Sequence, residues 1–180
     1  MYSLKSRGNW RGARQANVID GGAHFYGVYE CADGKHLALG AIEPQFYREL
    51  LERCAIRDPA FEAQWQESQW PALRERMAAQ LRTRTRDAWC ELLEGTDACV
   101  APVLDMNEAP AHPHLRARGT FAMTDGVVRP GPSPRFEHSA PAVSPAPATG
   151  AHTMHVLREQ GLTDSEIDRL RADRVIAFAD

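Results

Sequence analysis

The chain has 180 residues, of which 43% are hydrophobic and 25% charged, a composition close to the average of soluble globular proteins that argues against wholesale disorder. Its formal net charge of -3 gives no indication of nucleic acid or an anionic membrane as a partner. No apolar run approaches the roughly 20 residues of a membrane helix, and none resembles a secretory signal. We therefore expect a soluble, cytoplasmic protein with one domain, or with a small domain and an appendage.

The first predicted elements are a hairpin and a helix. Residues 1–19 form a polar lead-in, and residues 25–31 are rich in aromatic and β-branched side chains that favour a strand. Asp33-Gly34 predicts a two-residue turn into a second strand at residues 36–40. A helix is expected to begin at Glu43-Pro44, because proline at the first helical position has no N–H to leave unpaired.

Further helices and short strands follow. Trp70-Pro71 starts a helix in which apolar residues recur every four positions through Leu81. The remaining predictions are a helix at residues 87–94 that stops at Gly95, a strand at 99–104, and one or two strands within 119–128.

The end of the chain contains a proline-rich linker and a helical tail. Six of the twelve prolines lie in residues 129–151, which therefore cannot sustain a helix or a central strand and should be extended. We thus predict a lead-in (1–19), a small domain (20–128), this linker, and a helical tail (152–180) with a capping box at Thr163 and Glu166. Helices with a few antiparallel strands indicate an α+β fold.

The cysteine and histidine residues do not predict a metal site. Cys31, Cys54, Cys90 and Cys99 form no C-x-x-C pair, and we expect all four to be reduced and buried. The pairs His112/His114 and His152/His155 lack further ligands at a suitable spacing.

Glu43 is the most suggestive polar residue. It follows an apolar strand end and precedes a helix, whose N-terminus favours an anion. The alternative is a plain helix cap, although glutamate is a mediocre one. Gly21, Gly22 and Gly27 are too sparse for a phosphate-binding fingerprint, and no catalytic triad motif is legible.

Several segments resemble the small domain of α-methylacyl-CoA racemases, which belong to the wider family III CoA-transferases. The segments are residues 17–26 (NVIDGGAHFY), 29–35 (YECADGK), 40–47 (GAIEPQFY), 97–104 (DACVAPVL) and 150–153 (GAHT). The resemblance extends over nearly the whole chain from about Trp10, and the run at 40–47 favours the racemase branch over the transferase branch.

The resemblance implies that a large N-terminal domain, with much of the CoA site and a catalytic aspartate, is absent from this chain. Two complete chains of the family interlock, so a homo-oligomer is implied, with each active site between the large domain of one subunit and the small domain of the other. Glu43 is implied as the catalytic residue of this chain. It would hydrogen-bond a histidine of the large domain, and this pair would be one acid/base while the aspartate is the other. Asp20 and His24 are not assigned those roles.

The implied reaction interconverts (R)- and (S)-2-methylacyl-CoA through an enolate, with an acyl-CoA thioester as substrate and no metal or redox cofactor. We expect the isolated chain to be inactive. Two alternatives stay open: part of a CoA-transferase that moves CoA between carboxylic acids, and a non-catalytic domain that oligomerises or binds a partner. Without the large domain, apolar side chains of the tail should be exposed, namely Val156, Leu157, Leu162, Ile167 and Leu170.

Overall fold

The structure, a computed structural model, describes residues 1–139 and 144–178. It contains two compact units, Met1–Met106 and Asn107–Asp180. The predicted limits of the lead-in, small domain, linker and tail stay predictions. Residues 140–143 of the predicted linker and 179–180 of the predicted tail lie outside the described residues.

The first unit contains a three-stranded antiparallel sheet. Its strands β1 (Tyr26–Glu30), β2 (His36–Gly40) and β3 (Val100–Val103) lie in the order β1-β2-β3. Tyr26 pairs with Gly40, and Leu39 of the same strand pairs with Val100 on the other side. The strands predicted at residues 25–31, 36–40 and 99–104 are therefore confirmed, to within one residue at each end.

The turn between β1 and β2 differs from the predicted two-residue turn. The Gly34 N–H donates to the Cys31 carbonyl, and the Cys31 N–H donates to the Lys35 carbonyl, which leaves three residues in the loop. Gly34 has a φ of +74°, as expected for the left-handed residue that closes a three-residue loop. The Asp33 carboxylate accepts hydrogen bonds from the backbone N–H groups of Lys35 and Arg86, which ties the turn to the start of a helix.

Four helices accompany this sheet in the first unit: α1 (Tyr2–Ser6), α2 (Pro44–Arg53), α3 (Trp70–Leu81) and α4 (Arg86–Leu93). Proline occupies the first turn of α2 and α3, as predicted. The Thr85 side chain caps α4 by accepting a 3.2 Å hydrogen bond from the Ala88 N–H. Single 3-10 turns occur at Val18–Asp20, Pro59–Glu62 and Glu67–Gln69.

The core of the first unit lies between the sheet and the helices. The apolar stripe of α3 is buried, as its four-residue spacing predicted, and so is Trp89 of α4, whose indole N–H donates to the Leu81 carbonyl at 2.8 Å. The ring of Phe25 contacts four other aromatic rings edge-on, those of His24, Tyr47, Trp65 and Trp70. This packing fixes the place where β1 and α2 meet.

In residues 107–139 and 144–178, the second unit contains four short helices and one hairpin: α5 (Glu108–Ala111), α6 (Pro113–Ala117), β4 (Phe121–Thr124), β5 (Val127–Pro130), α7 (Thr153–Glu159) and α8 (Asp164–Ala172). Asp125 and Gly126 both have positive φ at the hairpin turn, which is typical of the type I′ turns that join antiparallel strands. Linker residues 131–139 and 144–148 contain neither helix nor strand. The Thr163 and Glu166 capping box is confirmed.

Two burial predictions are wrong. Ile167 is fully buried rather than exposed, while Leu157, Leu162 and Leu170 are half-buried and Val156 is exposed as expected. Of the four cysteines predicted to be buried, Cys99 is exposed and Cys90 is half-buried, whereas Cys31 and Cys54 are buried. The α+β class is confirmed, and no helix in the described ranges is long and apolar enough to cross a membrane.

Candidate active site around Glu43

The loop that leads into β1 is closed by Asp20. Its carboxylate accepts hydrogen bonds from the backbone N–H and the side-chain amide of Asn17 and from the Gly22 N–H. Burial alone would raise the pKa of Asp20, but these hydrogen bonds outweigh it and hold the pKa below its ordinary value. A Cβ at Gly22 would lie 2.6 Å from the Asn17 carbonyl oxygen, so the tight turn requires glycine. Asp20 therefore has a structural role in this loop.

Glu43 lies where the chain leaves the sheet and enters α2. Strand β2 ends at Gly40, and Glu43 is the N-cap residue of α2 with the extended backbone angles of a cap. Its side chain is exposed, and among the described residues its carboxylate makes no capping hydrogen bond. The plain helix-cap alternative is therefore not supported, because a cap stabilises a helix by accepting a bond from the first turn. The carboxylate oxygens face solvent beside the positive end of the helix dipole.

The backbone before Glu43 is tied to three neighbouring segments. The Gly40 N–H donates to the Cys99 carbonyl at 2.9 Å, and the Ala41 N–H donates to the Phe25 carbonyl at 3.2 Å. The side-chain amide of Gln64 donates to the carbonyl oxygens of Ala41 and Ile42. The position of Glu43 is thus determined by residues distant in the sequence.

His24 is a buried histidine that contacts Tyr47 of α2. The Tyr47 hydroxyl donates to the Phe61 carbonyl at 2.9 Å, so it accepts the 2.7 Å hydrogen bond from His24 Nε2. The other ring nitrogen, Nδ1, is buried and has no hydrogen-bond partner among the described residues. Burial lowers the pKa of His24 to about 4, which keeps the ring neutral. A fully buried, neutral ring packed against Phe25 is part of the core and does not reach a substrate.

Cys99 is the exposed thiol nearest to these elements. It has a left-handed φ of +53° at the start of β3. Burial, and then the negative charges of Glu43 and Asp97, raise the pKa of its thiol above the ordinary value. A raised pKa disfavours the thiolate, so Cys99 lacks the activation that a nucleophilic cysteine requires.

The glycines before and within β1 have steric roles. The Arg74 guanidinium donates to the Gly21 carbonyl at 2.6 Å and lies over the Tyr29 ring. A Cβ at Gly27 would lie 2.8 Å from Arg74 Nη1. Gly27 therefore makes room for an arginine that links α3 to β1.

The remaining sequence candidates lie in the second unit. His114 and His152 are exposed, and His112 is half-buried. The Nε2 atom of His155 lies 3.4 Å from the Oε1 atom of Glu159, one helical turn further along α7. Within residues 1–139 and 144–178, no group of three or more His, Cys, Asp or Glu side chains is arranged to hold a metal ion.

Sequence reasoning missed Gln64 and the buried Arg86. Gln64 and Arg86 are polar residues that sequence statistics place at the surface, and neither belongs to a recognisable motif. Their roles depend on which backbone carbonyls come close in the folded chain.

Comparison with known proteins identifies relatives over most of this chain. The sequence profile of CoA-transferase family III matches residues 2–153. The chain is 40% identical to the α-methylacyl-CoA racemase of Mus musculus over 98% of its own length, and 36% identical to that of Homo sapiens over 93%. It covers 47% and 44% of those proteins, so it spans about half the length of the curated relatives it matches.

More distant relatives extend the comparison to transferases and to solved structures. A formyl-CoA:oxalate CoA-transferase of Escherichia coli is 33% identical over 44% of this chain and is itself covered over 20% of its length. The crystal structure of Rv3272 from M. tuberculosis superposes with a TM-score of 0.59 at 17% identity, covering 73% of this chain and 38% of that one. A mutant of the same protein gives 0.58 at 16% identity, over 85% of this chain and 42% of that one. At this level of identity the structures support the fold alone.

Proposed function

Because this chain belongs to CoA-transferase family III, we propose that it is the C-terminal part of an α-methylacyl-CoA racemase, which interconverts (R)- and (S)-2-methylacyl-CoA. The observation that carries the proposal is the placement of Glu43, an exposed carboxylate at the start of α2 with no capping hydrogen bond among the described residues. It lies within the segment 40–47 on which the resemblance to the racemase branch rests. The substrate is an acyl-CoA thioester, and the reaction needs neither a metal nor a redox cofactor.

The chemistry requires two acid/base units, one on each face of the substrate. One unit removes the proton α to the thioester carbonyl, the electron pair moves to the carbonyl oxygen as an enolate, and the other unit returns a proton to the opposite face. A carboxylate beside an imidazole holds the ring in one tautomer and stabilises its protonated form. Glu43 supplies that carboxylate, and the family's large domain supplies the histidine, the opposing aspartate and much of the CoA site. The working enzyme is a homo-oligomer of complete chains.

The test joins this chain to the part of the mouse racemase that it does not match and measures deuterium incorporation at C2 of a 2-methylacyl-CoA in heavy water. We expect the joined protein to exchange the proton and the isolated 180-residue chain to leave it in place. Glu43→Gln should lower the exchange rate about 10²–10⁴-fold at equal folded fraction, the usual contribution of a general acid/base.

Glu49→Gln is the matched control for Glu43→Gln. Glu49 lies on the same helix and forms a surface ion pair with Arg53 at 2.8 Å, a kind of contact that contributes little to stability. We expect it to leave the exchange rate unchanged. Equal rates in Glu43→Gln and wild type would remove Glu43 from the mechanism, and exchange by the isolated chain would contradict the need for the large domain.

The same preparation distinguishes the two alternatives. CoA transfer to a free carboxylic acid without exchange at C2 would favour the transferase, an activity that the partial similarity to formyl-CoA:oxalate CoA-transferase makes worth measuring. The absence of both activities, in a joined protein that is folded and binds acyl-CoA, would favour a non-catalytic role.

A further inference from the structure

Gln64 is a buried polar side chain in the loop between α2 and α3. It is 6% exposed, and its amide nitrogen Nε2 donates to the carbonyl oxygen of Ile42 at 2.9 Å and to that of Ala41 at 3.3 Å. These two carbonyls belong to the residues immediately before Glu43. A primary amide is suited to this arrangement, because it offers two N–H groups from one nitrogen.

The segment between β2 and α2 needs such a donor. After Gly40 the chain leaves the sheet, so its carbonyls lose the regular partners of a strand, and helix α2 begins only at Pro44. Ala41 is fully buried, and a buried carbonyl without a donor costs free energy. One side chain therefore satisfies two successive peptide groups and limits the rotation of the backbone that leads into Glu43.

Gln64 is itself held in place by α3. The indole N–H of Trp70 donates to the Gln64 backbone carbonyl at 2.8 Å, and Trp70 is buried at the first position of that helix. The Trp70 ring also contacts Phe25, whose own carbonyl accepts from the Ala41 N–H. The amide of Gln64 thus connects a rigid part of the core to the residues before Glu43.

We infer that Gln64 is a positioning residue for Glu43: it fixes the backbone of residues 41–43 and thereby the direction in which the Glu43 carboxylate is presented. Its catalytic consequence rests on the proposed function of Glu43. An apolar residue at position 64 would be easier to bury, but it would leave two carbonyls without these donors and release the segment.

Gln80, a residue of α3, provides a matched control because its side chain is bound at the other end of α2. Its side-chain amide donates at 2.6 Å to the carbonyl of Cys54, the residue that follows α2. Both glutamines are thus bound to the backbone at an end of α2, but only Gln64 contacts the residues before Glu43. Replacing each by methionine removes equivalent donors from two places.

The first measurement uses NMR on the isotopically labelled 180-residue chain. Gln64→Met should shift the backbone carbonyl and amide resonances of residues 41–44 and increase the motion of the Glu43 amide, while Gln80→Met should leave these signals unchanged. Gln64→Leu also removes both donors and places an apolar side chain in this buried site, so it gives the same readout if the methionine variant does not fold. Unchanged resonances and motion at residues 41–44 in a folded Gln64 variant would overturn the inference.

The second measurement uses the joined protein described above. Gln64→Met should lower kcat about 10–100-fold with KM unchanged, because a misplaced catalytic group slows the chemical step without removing a contact to the substrate. Gln80→Met should keep the wild-type kcat. If Glu43→Gln lowers kcat and a folded Gln64 variant does not, the positioning role is wrong. If Glu43→Gln itself has no effect, the proposed function fails, and the NMR result alone decides whether Gln64 orders the segment.

Discussion

The two units of this chain achieve their structures in different ways. The first unit buries many large side chains around its sheet, including Phe25, Trp70 and Trp89. In the described part of the second unit, Ile167 is the one buried hydrophobic side chain, while Met123 of the hairpin is 67% exposed. The first unit is therefore stabilised by a hydrophobic core. In the described part of the second unit, most of the stabilising contacts are the hydrogen bonds of turns and helix caps.

The difference has a consequence for stability and for association. Helices shorter than about 12 residues and two-stranded hairpins are marginal in water without packing, and the helices of the second unit have between 4 and 9 residues. Its exposed apolar side chains include Val127, Val156 and Phe136. Singly exposed apolar side chains are normal on a soluble chain, so self-association and the need for a larger domain stay predictions.

The largest expected effect comes from the core of the first unit. Trp89→Ala should lower the free energy of opening of that unit by about 4 kcal/mol, because it leaves a cavity and the Leu81 carbonyl without its donor. Amide hydrogen exchange at α3 and α4 measures this loss. Trp65→Ala is the control: its ring is 51% exposed and contacts Phe25 at one edge, so we expect a clearly smaller change. Equal losses in the two variants would contradict the described core.

The sequence analysis succeeded for elements that have a local signal in the sequence and failed for contacts between distant residues. In the first unit, proline at the helix starts, Gly95 after α4 and the four-residue spacing in α3 each have a local physical meaning, and these elements were predicted correctly. The turn after β1 was predicted one residue too short, since Asp33-Gly34 also fits a three-residue loop in which Gly34 has the left-handed φ. The contact of Asp33 with the start of α4 was not predicted, because it joins residues 53 positions apart and leaves no periodic signal in the sequence.

The second prediction concerns acid sensitivity of the first unit. His24 has a pKa of about 4 in the folded chain, below its ordinary value of about 6.5. Above pH 6.5 the ring is neutral in both states and contributes no pH dependence. Between about pH 6.5 and 4, His24 is protonated in the unfolded chain but stays neutral in the folded chain. The free energy of unfolding should therefore fall by up to about 3 kcal/mol over this range. Denaturant unfolding at a series of pH values measures this slope.

The variant His24→Phe distinguishes the contribution of the histidine to the pH dependence of stability from that of the carboxylates. Phenylalanine fits an aromatic site and does not titrate, and the Tyr47 hydroxyl keeps the Phe61 carbonyl as its acceptor. Asp20 and Asp58 also have pKa values below the ordinary 3.8, so their contributions are present above that pH and lost only as the pH falls further. A slope between pH 6.5 and 5 that persists in His24→Phe would show that another group is responsible.

The candidate site was predictable only in its central residue. Glu43 was found because an acid between an apolar strand end and Pro44 is conspicuous, and because segment 40–47 resembles the racemases. Gln64 was not found, since it lies in an irregular loop and acts through carbonyls 22 and 23 residues away in the sequence. The role of a residue that binds backbone depends on the tertiary structure, and a single sequence does not record it.

The smallest expected effect lies in the second unit and tests whether local caps hold its helices. Thr163 accepts a hydrogen bond from the Glu166 N–H, and the Glu166 carboxylate in return accepts from the Thr163 N–H at 2.8 Å. Thr163→Ala removes the hydroxyl and should lower the free energy of opening of α8 by about 1 kcal/mol, the usual contribution of an N-cap. Thr163→Ser keeps the hydroxyl and should retain most of the protection. Hydrogen exchange at the α8 amides measures both variants. The Thr163 hydroxyl also donates to the Glu166 carboxylate at 2.7 Å, and this bond, together with that from the Thr163 N–H, holds the pKa of Glu166 below its ordinary value. The protection should therefore also decline in acid as that carboxylate is protonated, and it should do so less in Thr163→Ala, which lacks the hydroxyl. If α8 keeps its protection without the cap, packing around Ile167 rather than the capping box holds the helix, and the contrast between the two units would be weaker than their burial indicates.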